Sequence, residues 1–265
     1  EVAALEPAPE FDYATVRGLL PEPFAAGGTP TALVTAYVRL HLPTLFPQVL
    51  LNLTQWQTEV RVSAARVLRV VLICANRQVA PFLDQLLVHL YKASADDEQR
   101  VGQMAQQCAG MIGVFVEAEL LLGLVARHLG LRLDGTSSQT VGGQGVEELW
   151  PETASGRAVT RTLQDVATGV KHFTAAGPES RRQVFTVLAR MLCPEGLAST
   201  PAGVPLATAL RPHEVRAALQ FLEEGGKNDE LLPCVLGTMQ ALLRAGGQLC
   251  CSEWPRFFQL LLRMR

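Results

Sequence analysis

Sliding the chain along itself by 41 residues lays apolar position on apolar position: Leu42 on Leu83, Leu45 on Leu86, Phe46 on Leu87 and Val49 on Leu90. The coincidence continues with Val60 on Val101, Ala64 on Ala105, Val67 on Cys108 and Val71 on Ile112. An internal period of this length constrains the fold more than any composition, because each unit must bury its apolar face against its neighbours. Within a unit the apolar residues recur at spacings of 3, 4 and 7, the signature of helices with one buried stripe. Two helices per unit follow, the first unit running from about 42 to 75 and the second from about 79 to 115.

Boundary signals agree. Asp96 and Asp97 in "ASADDEQ" stand at the start of a second helix, where carboxylates suit exposed N–H groups and the helix dipole. Asn76 in "CANRQ" falls between helices and tolerates turn conformations. A third unit opens at "VEAELLLGLVARHLG", with Leu120, Leu121, Leu124 and Val125 as its stripe. Residues 131–156 are rich in Gly, Ser and Thr and lack sustained period, so they read as a long flexible insert in the turn of that unit. Helical spacing resumes with Val159, Leu163, Val166 and Val170, then with Val184, Leu188 and Met191. A second loop insert, 194–208, precedes helices marked by Val215, Ala218, Leu219 and Leu222, by Leu231, Val235, Met239 and Leu242, and by Phe257, Leu260 and Leu261. No alternating strand pattern stands out. The expected fold is all-α, about a dozen helices in antiparallel pairs forming one α-solenoid over 1–265. The start at Glu1 and the end in "FFQLLLRMR" suggest a segment of a longer protein.

The unit pattern, P-x-x-L-x-x-L-L in a first helix and V-R-x-x-A-A in a second, resembles HEAT repeats, as does "PFLDQLLVHL" followed by "VGQMAQQCAGMIG". HEAT repeats usually carry an Asp in the turn and an Arg after the valine, bonded across neighbouring units. Here the first unit has Arg61 but Gln55 at the Asp position, and the second has Asp96 but Gly102 at the Arg position. Arg61 is therefore expected to reach Asp96 across the stack, as a structural pair. Arg66 and Arg69 lie opposite Val60, Ala64 and Val71 on a helical wheel and beside Val62 and Ile73. The equivalent face of the next unit carries Gln103, Gln107 and Gly110. Second helices line the inner surface of such stacks, so Val62, Arg66, Arg69, Ile73, Gln103 and Gln107 form the candidate protein-binding face. Aromatic stacking groups are missing from it, which argues against nucleic acid.

Charge and chemistry narrow the function. A net charge of -2 lacks the basic excess of a nucleic-acid binder. No run approaches the roughly 20 apolar residues of a membrane span. Six cysteines without CxxC spacing, most of them at apolar helix positions, fit a reducing compartment. "VGGQG" (141–145) lacks the Lys-Ser or Lys-Thr of a phosphate loop, and the five histidines show no metal spacing. Each histidine is read as a surface or partly buried helix residue. The "NLT" sequon at Asn52 falls in an expected helix, and Trp56 reads most simply as a packing residue in the turn, with a binding hot spot as the minority reading. No catalytic set, metal or cofactor is expected, and a binding scaffold is the function class left.

One family resemblance is more specific. "LLNLTQWQTEVRVSAARVLRVVL" with "HLYKASADDEQRVGQMAQQCAGMIGVFV" resembles the HEAT-repeat dynein axonemal assembly factors. The matching residues are Leu50, Leu51, Asn52, Thr54, Trp56, Val60, Arg61, Ala64, Asp97, Glu98 and Cys108, with "GxFV" at Gly113 to Val116. The clear resemblance covers 45–130 and a weaker one 230–243; Gln55 departs from the family's acidic residue. The resemblance implies a non-catalytic, cytoplasmic protein of ciliated or flagellated cells that helps preassemble axonemal dynein arms. Its implied partners are dynein chains and chaperones, with no catalytic residues to carry over. A general HEAT-repeat trafficking or nuclear-transport adaptor, or a phosphatase or kinase regulatory scaffold, is the alternative on the repeats alone.

Overall fold

The structure, a computed structural model, describes residues 30–131, 173–193 and 210–263, with the side chains of 246–249 outside that description. The stripe from Val159 to Val170, the "VGGQG" loop and nearly all of both inserts lie outside the described residues. The described elements are helices α1 (Ala32–Leu53), α2 (Thr58–Ala75), α3 (Leu83–Ser94), α4 (Gln99–Phe115) and α5 (Ala118–Leu129). They continue with α6 (Pro178–Leu192), α7 (Pro212–Gly225), α8 (Leu232–Gly246) and α9 (Trp254–Arg263). Short 3-10 segments join α2 to α3, α7 to α8 and α8 to α9. No strand occurs among the described residues.

Two layers emerge from the packing. First helices stack on first helices, α1 on α3 and α5 on α7, while second helices run in series, α2 on α4, α4 on α6 and α6 on α8. The pairs α1/α2, α3/α4, α5/α6 and α7/α8 are thus successive units of an all-α solenoid-like stack. The long insert falls between the two helices of the third pair.

Leu42 and Leu83, Phe46 and Leu87, and Val71 and Ile112 are buried in both units, as the 41-residue period requires. Leu45 and Val67 are not: they are 38% and 48% exposed, whereas Leu86 and Cys108 are fully covered. Cys108 faces α2, and no described helix stands before α2 to cover Val67. The first unit also begins ten residues earlier than its apolar stripe. Thr31 caps α1, its side chain accepting from the Val34 N–H, and Arg39 Nε donates to the Cys74 carbonyl at the far end of α2, 3.1 Å away. Pro43 and Pro47 stay within α1 although each removes a backbone donor.

Three local features set the inter-helix geometry. Asn76 ends α2 at φ 51°, the one described non-glycine residue with positive φ. Gly130 closes α5 in the left-handed conformation, with Leu131 N–H reaching back to the Ala126 carbonyl at 2.8 Å. Gly113 of α4 lies against the backbone of Met191 so closely that a Cβ would overlap that residue's carbonyl. The second helices of units two and three therefore approach at a point only glycine allows.

Candidate functional site

Every second helix lies on the first-helix layer and turns an outer stripe to solvent; α4 and α6 each sit between two second helices, whereas α2 and α8 each have one such neighbour among the described residues. On α2 that outer stripe is Glu59, Ser63, Arg66 and Val70, all exposed. Val62, Arg69 and Ile73 follow one another at spacings of 7 and 4 on the flank that packs on α4. Val62 and Ile73 are fully buried there, so they drop out of the candidate binding face. Arg69 is half-buried in the same seam, and loss of water lowers its guanidinium pKa from the ordinary value, a shift that neighbouring Cys108 partly opposes. Burial pushes the Cys108 thiol up to about 12. Arg66, Gln103 and Gln107 do share one exposed surface, formed by the outer stripes of α2 and α4.

The turn edge of the first two units is built around Arg61. Its Nε donates to Asp96 Oδ2 at 2.7 Å and its Nη2 to Asp96 Oδ1 at 2.9 Å, a two-pronged bond from α2 to the turn of the next unit. Nη1 donates to the carbonyls of Gln55 and Trp56 at 3.0 and 2.9 Å. Asp96 Oδ1 in turn accepts the Glu98 N–H at 2.9 Å, so one carboxylate joins two units and helps start α4. A cleft of about 360 Å³ opens beside this pair, with Thr54, Lys92 and Asp97 on its walls. Trp56 is 82% exposed. The packing role expected for it is not what the structure shows: Arg61 ties the turn through backbone carbonyls, and the indole is left in solvent.

A third cluster went unforeseen. Asp84 and Tyr91 of α3 meet His128 of α5, linking the first helices of units two and three. His128 is fully buried, its Nε2 2.7 Å from Asp84 Oδ1 and its Nδ1 3.0 Å from the Tyr91 hydroxyl. The bonding pattern assigns Tyr91 O–H as donor to Nδ1 and Nε2–H as donor to Asp84, which satisfies all three groups. Arg127 adds a second donor to Asp84 at 2.8 Å. The His128 bond, helped by Arg127, holds the Asp84 carboxyl below the ordinary range against the opposing effect of burial. Desolvation pushes the Tyr91 hydroxyl far above its usual value. The only sequence signal was the seven-residue spacing of Asp84 and Tyr91 on one face of α3, and nothing there pointed to His128.

Among the described residues no group of His, Cys, Asp and Glu has the arrangement of a metal site. No described helix is long and apolar enough to cross a membrane. Chemically, the exposed surfaces carry the guanidinium of Arg66, the amides of Gln103 and Gln107 and the indole of Trp56.

Residues 36–139 match the family model "Dynein axonemal assembly factor 5, HEAT-repeat domain". Dynein axonemal assembly factor 5 of Mus musculus is 32% identical over 89 residues, which are 34% of this chain and 10% of the relative. The Homo sapiens protein of the same name is 31% identical over 89 residues, with the same shares. The matched stretch thus spans about a tenth of each relative. The family-model match over 36–139 takes in most of α1 and all of α2, α3, α4 and α5. The resemblance read from Leu50, Trp56, Arg61 and Gly113 is therefore one to the HEAT-repeat domain of the dynein axonemal assembly factors, and it runs through α1 to α5 of this stack.

Proposed function

We propose that this chain is a non-catalytic binding scaffold that acts in the cytoplasm during preassembly of axonemal dynein arms. The observation that carries the reading is the family match over 36–139, which falls on the part of the stack where Arg61 locks one unit to the next. A stack of paired helices offers a long ordered surface at little conformational cost, which suits it to holding a large, incompletely assembled chain. Dynein chains are the proposed clients, with chaperones as co-partners.

The test is affinity capture with this chain from cytoplasm of cells regrowing flagella, read by mass spectrometry. Recovery of axonemal dynein heavy or intermediate chains is expected. Recovery of transport cargo or of a phosphatase catalytic chain, with no dynein, would leave the helical stack intact and remove the dynein role.

A further inference from the structure

Charge is sorted along the second helices. On their outer stripes the carboxylates are confined to the first turns: Glu59 on α2 and Glu179 on α6. Both are already matched, Glu59 by Arg100 at 2.9 Å and Glu179 by Arg182 at 3.1 Å. Past the first turn no acidic residue occurs anywhere in α2, α4, α6 or α8. What remains outward is Ser63, Arg66 and Val70 on α2, Gln103 and Gln107 on α4, Thr186 and Arg190 on α6, and Gly237, Gln240 and Arg244 on α8. These four helices pack in series, so their outer stripes form one continuous face.

Arg244 lies in the last turn of α8, where the helix dipole by itself favours a cation. Arg66 lies mid-helix and has no such local reason. Both are exposed, and among the described residues no carboxylate pairs with either. The contrast with the turn edge is sharp, since Arg61 and Arg100 there are each neutralised by bonded carboxylates. Between the two arginines the face carries amides, a hydroxyl, the half-buried Arg190 of α6 and Gly237, where a Cβ would meet nothing within 4 Å. Three helix spacings separate α2 from α8, roughly 24–30 Å.

We propose that this face docks an acidic segment of a partner protein, with carboxylates near its two ends paired to Arg66 and Arg244 and its backbone or polar groups meeting the amides between. Arginine suits this task because its planar fork takes a carboxylate through two parallel bonds. The proposal rests on the scaffold reading above and names the chemistry of the client segment. The span corresponds to a helical segment of about 16–20 residues at 1.5 Å per residue.

The test uses the full 265-residue chain and two fluorescein-labelled helical peptides of about twenty residues, one Glu-rich and amphipathic, the other identical with Lys at each Glu. Fluorescence anisotropy is expected to show binding of the Glu peptide, weakening as salt is raised, and none of the Lys peptide. Arg66→Glu with Arg244→Glu is expected to weaken it at least about tenfold, whereas Lys227→Glu, an exposed cation off this face, leaves it unchanged. Circular dichroism melts of the double variant should fall only a few degrees below wild type, because both side chains are exposed and Glu in the last turn of α8 costs only the modest helix-dipole interaction. Equal binding of both peptides, no binding of either, undiminished binding by the double variant, or preference for a single-stranded oligonucleotide over the Glu peptide would each overturn the proposal. Dynein capture by a chain that ignores the Glu peptide would spare the scaffold reading and reject only this one.

Discussion

Arg61 grips both oxygens of Asp96, 35 residues away, at 2.7 and 2.9 Å, so a side chain of the first unit is bolted to the turn of the second. The same guanidinium holds the carbonyls of Gln55 and Trp56. Replacing it removes an inter-unit bond and a turn clamp together. Arg61→Ala is therefore expected to lower the urea midpoint clearly, and Arg61→Lys to recover only part of the loss because an ammonium cannot reproduce the fork. Arg100→Ala, which breaks only exposed pairs, should do far less. Arg61→Ala combined with Asp96→Ala should be less damaging than the sum of the two single changes, since they share one bond.

Close helix approach makes a second prediction. Gly113→Ala drives a methyl into the Met191 backbone and is expected to destabilise the chain by about 3 kcal/mol, at the upper end for overpacking. Gly123→Ala in α5 meets open space and should stabilise by roughly 0.5–1 kcal/mol, the helix-propensity gain alone. Thermal melts of the two variants check both signs.

The Asp84 cluster sets an acid dependence. Its carboxyl pKa is depressed in the fold, so its contribution is complete above the unfolded value near 3.8 and is lost as pH falls through the lower folded value. At neutral pH Asp84→Asn should cost about 1 kcal/mol, allowing for the partial exposure of the group. That difference from wild type should shrink as pH is lowered below about 4. Tyr91→Phe, which leaves His128 Nδ1 without its buried donor, should cost about 1 kcal/mol at neutral pH. Denaturant titrations across pH measure all three.

Thiol labelling separates the cysteines. Cys74, Cys108 and Cys250 are buried and their thiols are pushed up by desolvation, whereas Cys251 is exposed. A thiol reagent at pH 8 should label Cys251 within minutes and leave Cys74 and Cys108 unlabelled until denaturant is added. Equal rates at Cys108 and Cys251 in the native chain would contradict the packing of α2 on α4.

The period was legible because the inward faces of equivalent helices bury the same positions, as Leu42 and Leu83 or Val71 and Ile112 do. Flanks were not legible. A helical wheel separates inside from outside, but Val62 and Ile73 are buried sideways, by a neighbour whose placement the wheel does not contain. The reverse holds for Val67, which the period matches to buried Cys108 yet which has no described helix before it. Trp56 misled for a different reason, since bulk suggested packing where a backbone clamp already fixed the turn. His128 stayed hidden because its partners, Asp84 and Tyr91, are 44 and 37 residues away and belong to another unit.

The most direct measurement of the central claim is depletion of this protein in multiciliated cells, followed by sedimentation of cytoplasmic axonemal dynein heavy chains and electron microscopy of the axonemes. The expected result is heavy chains left in smaller, unstable particles in the cytoplasm and arms missing from the doublets, both restored by re-expression. Heavy-chain complexes of normal size and axonemes with a full set of arms would contradict the account.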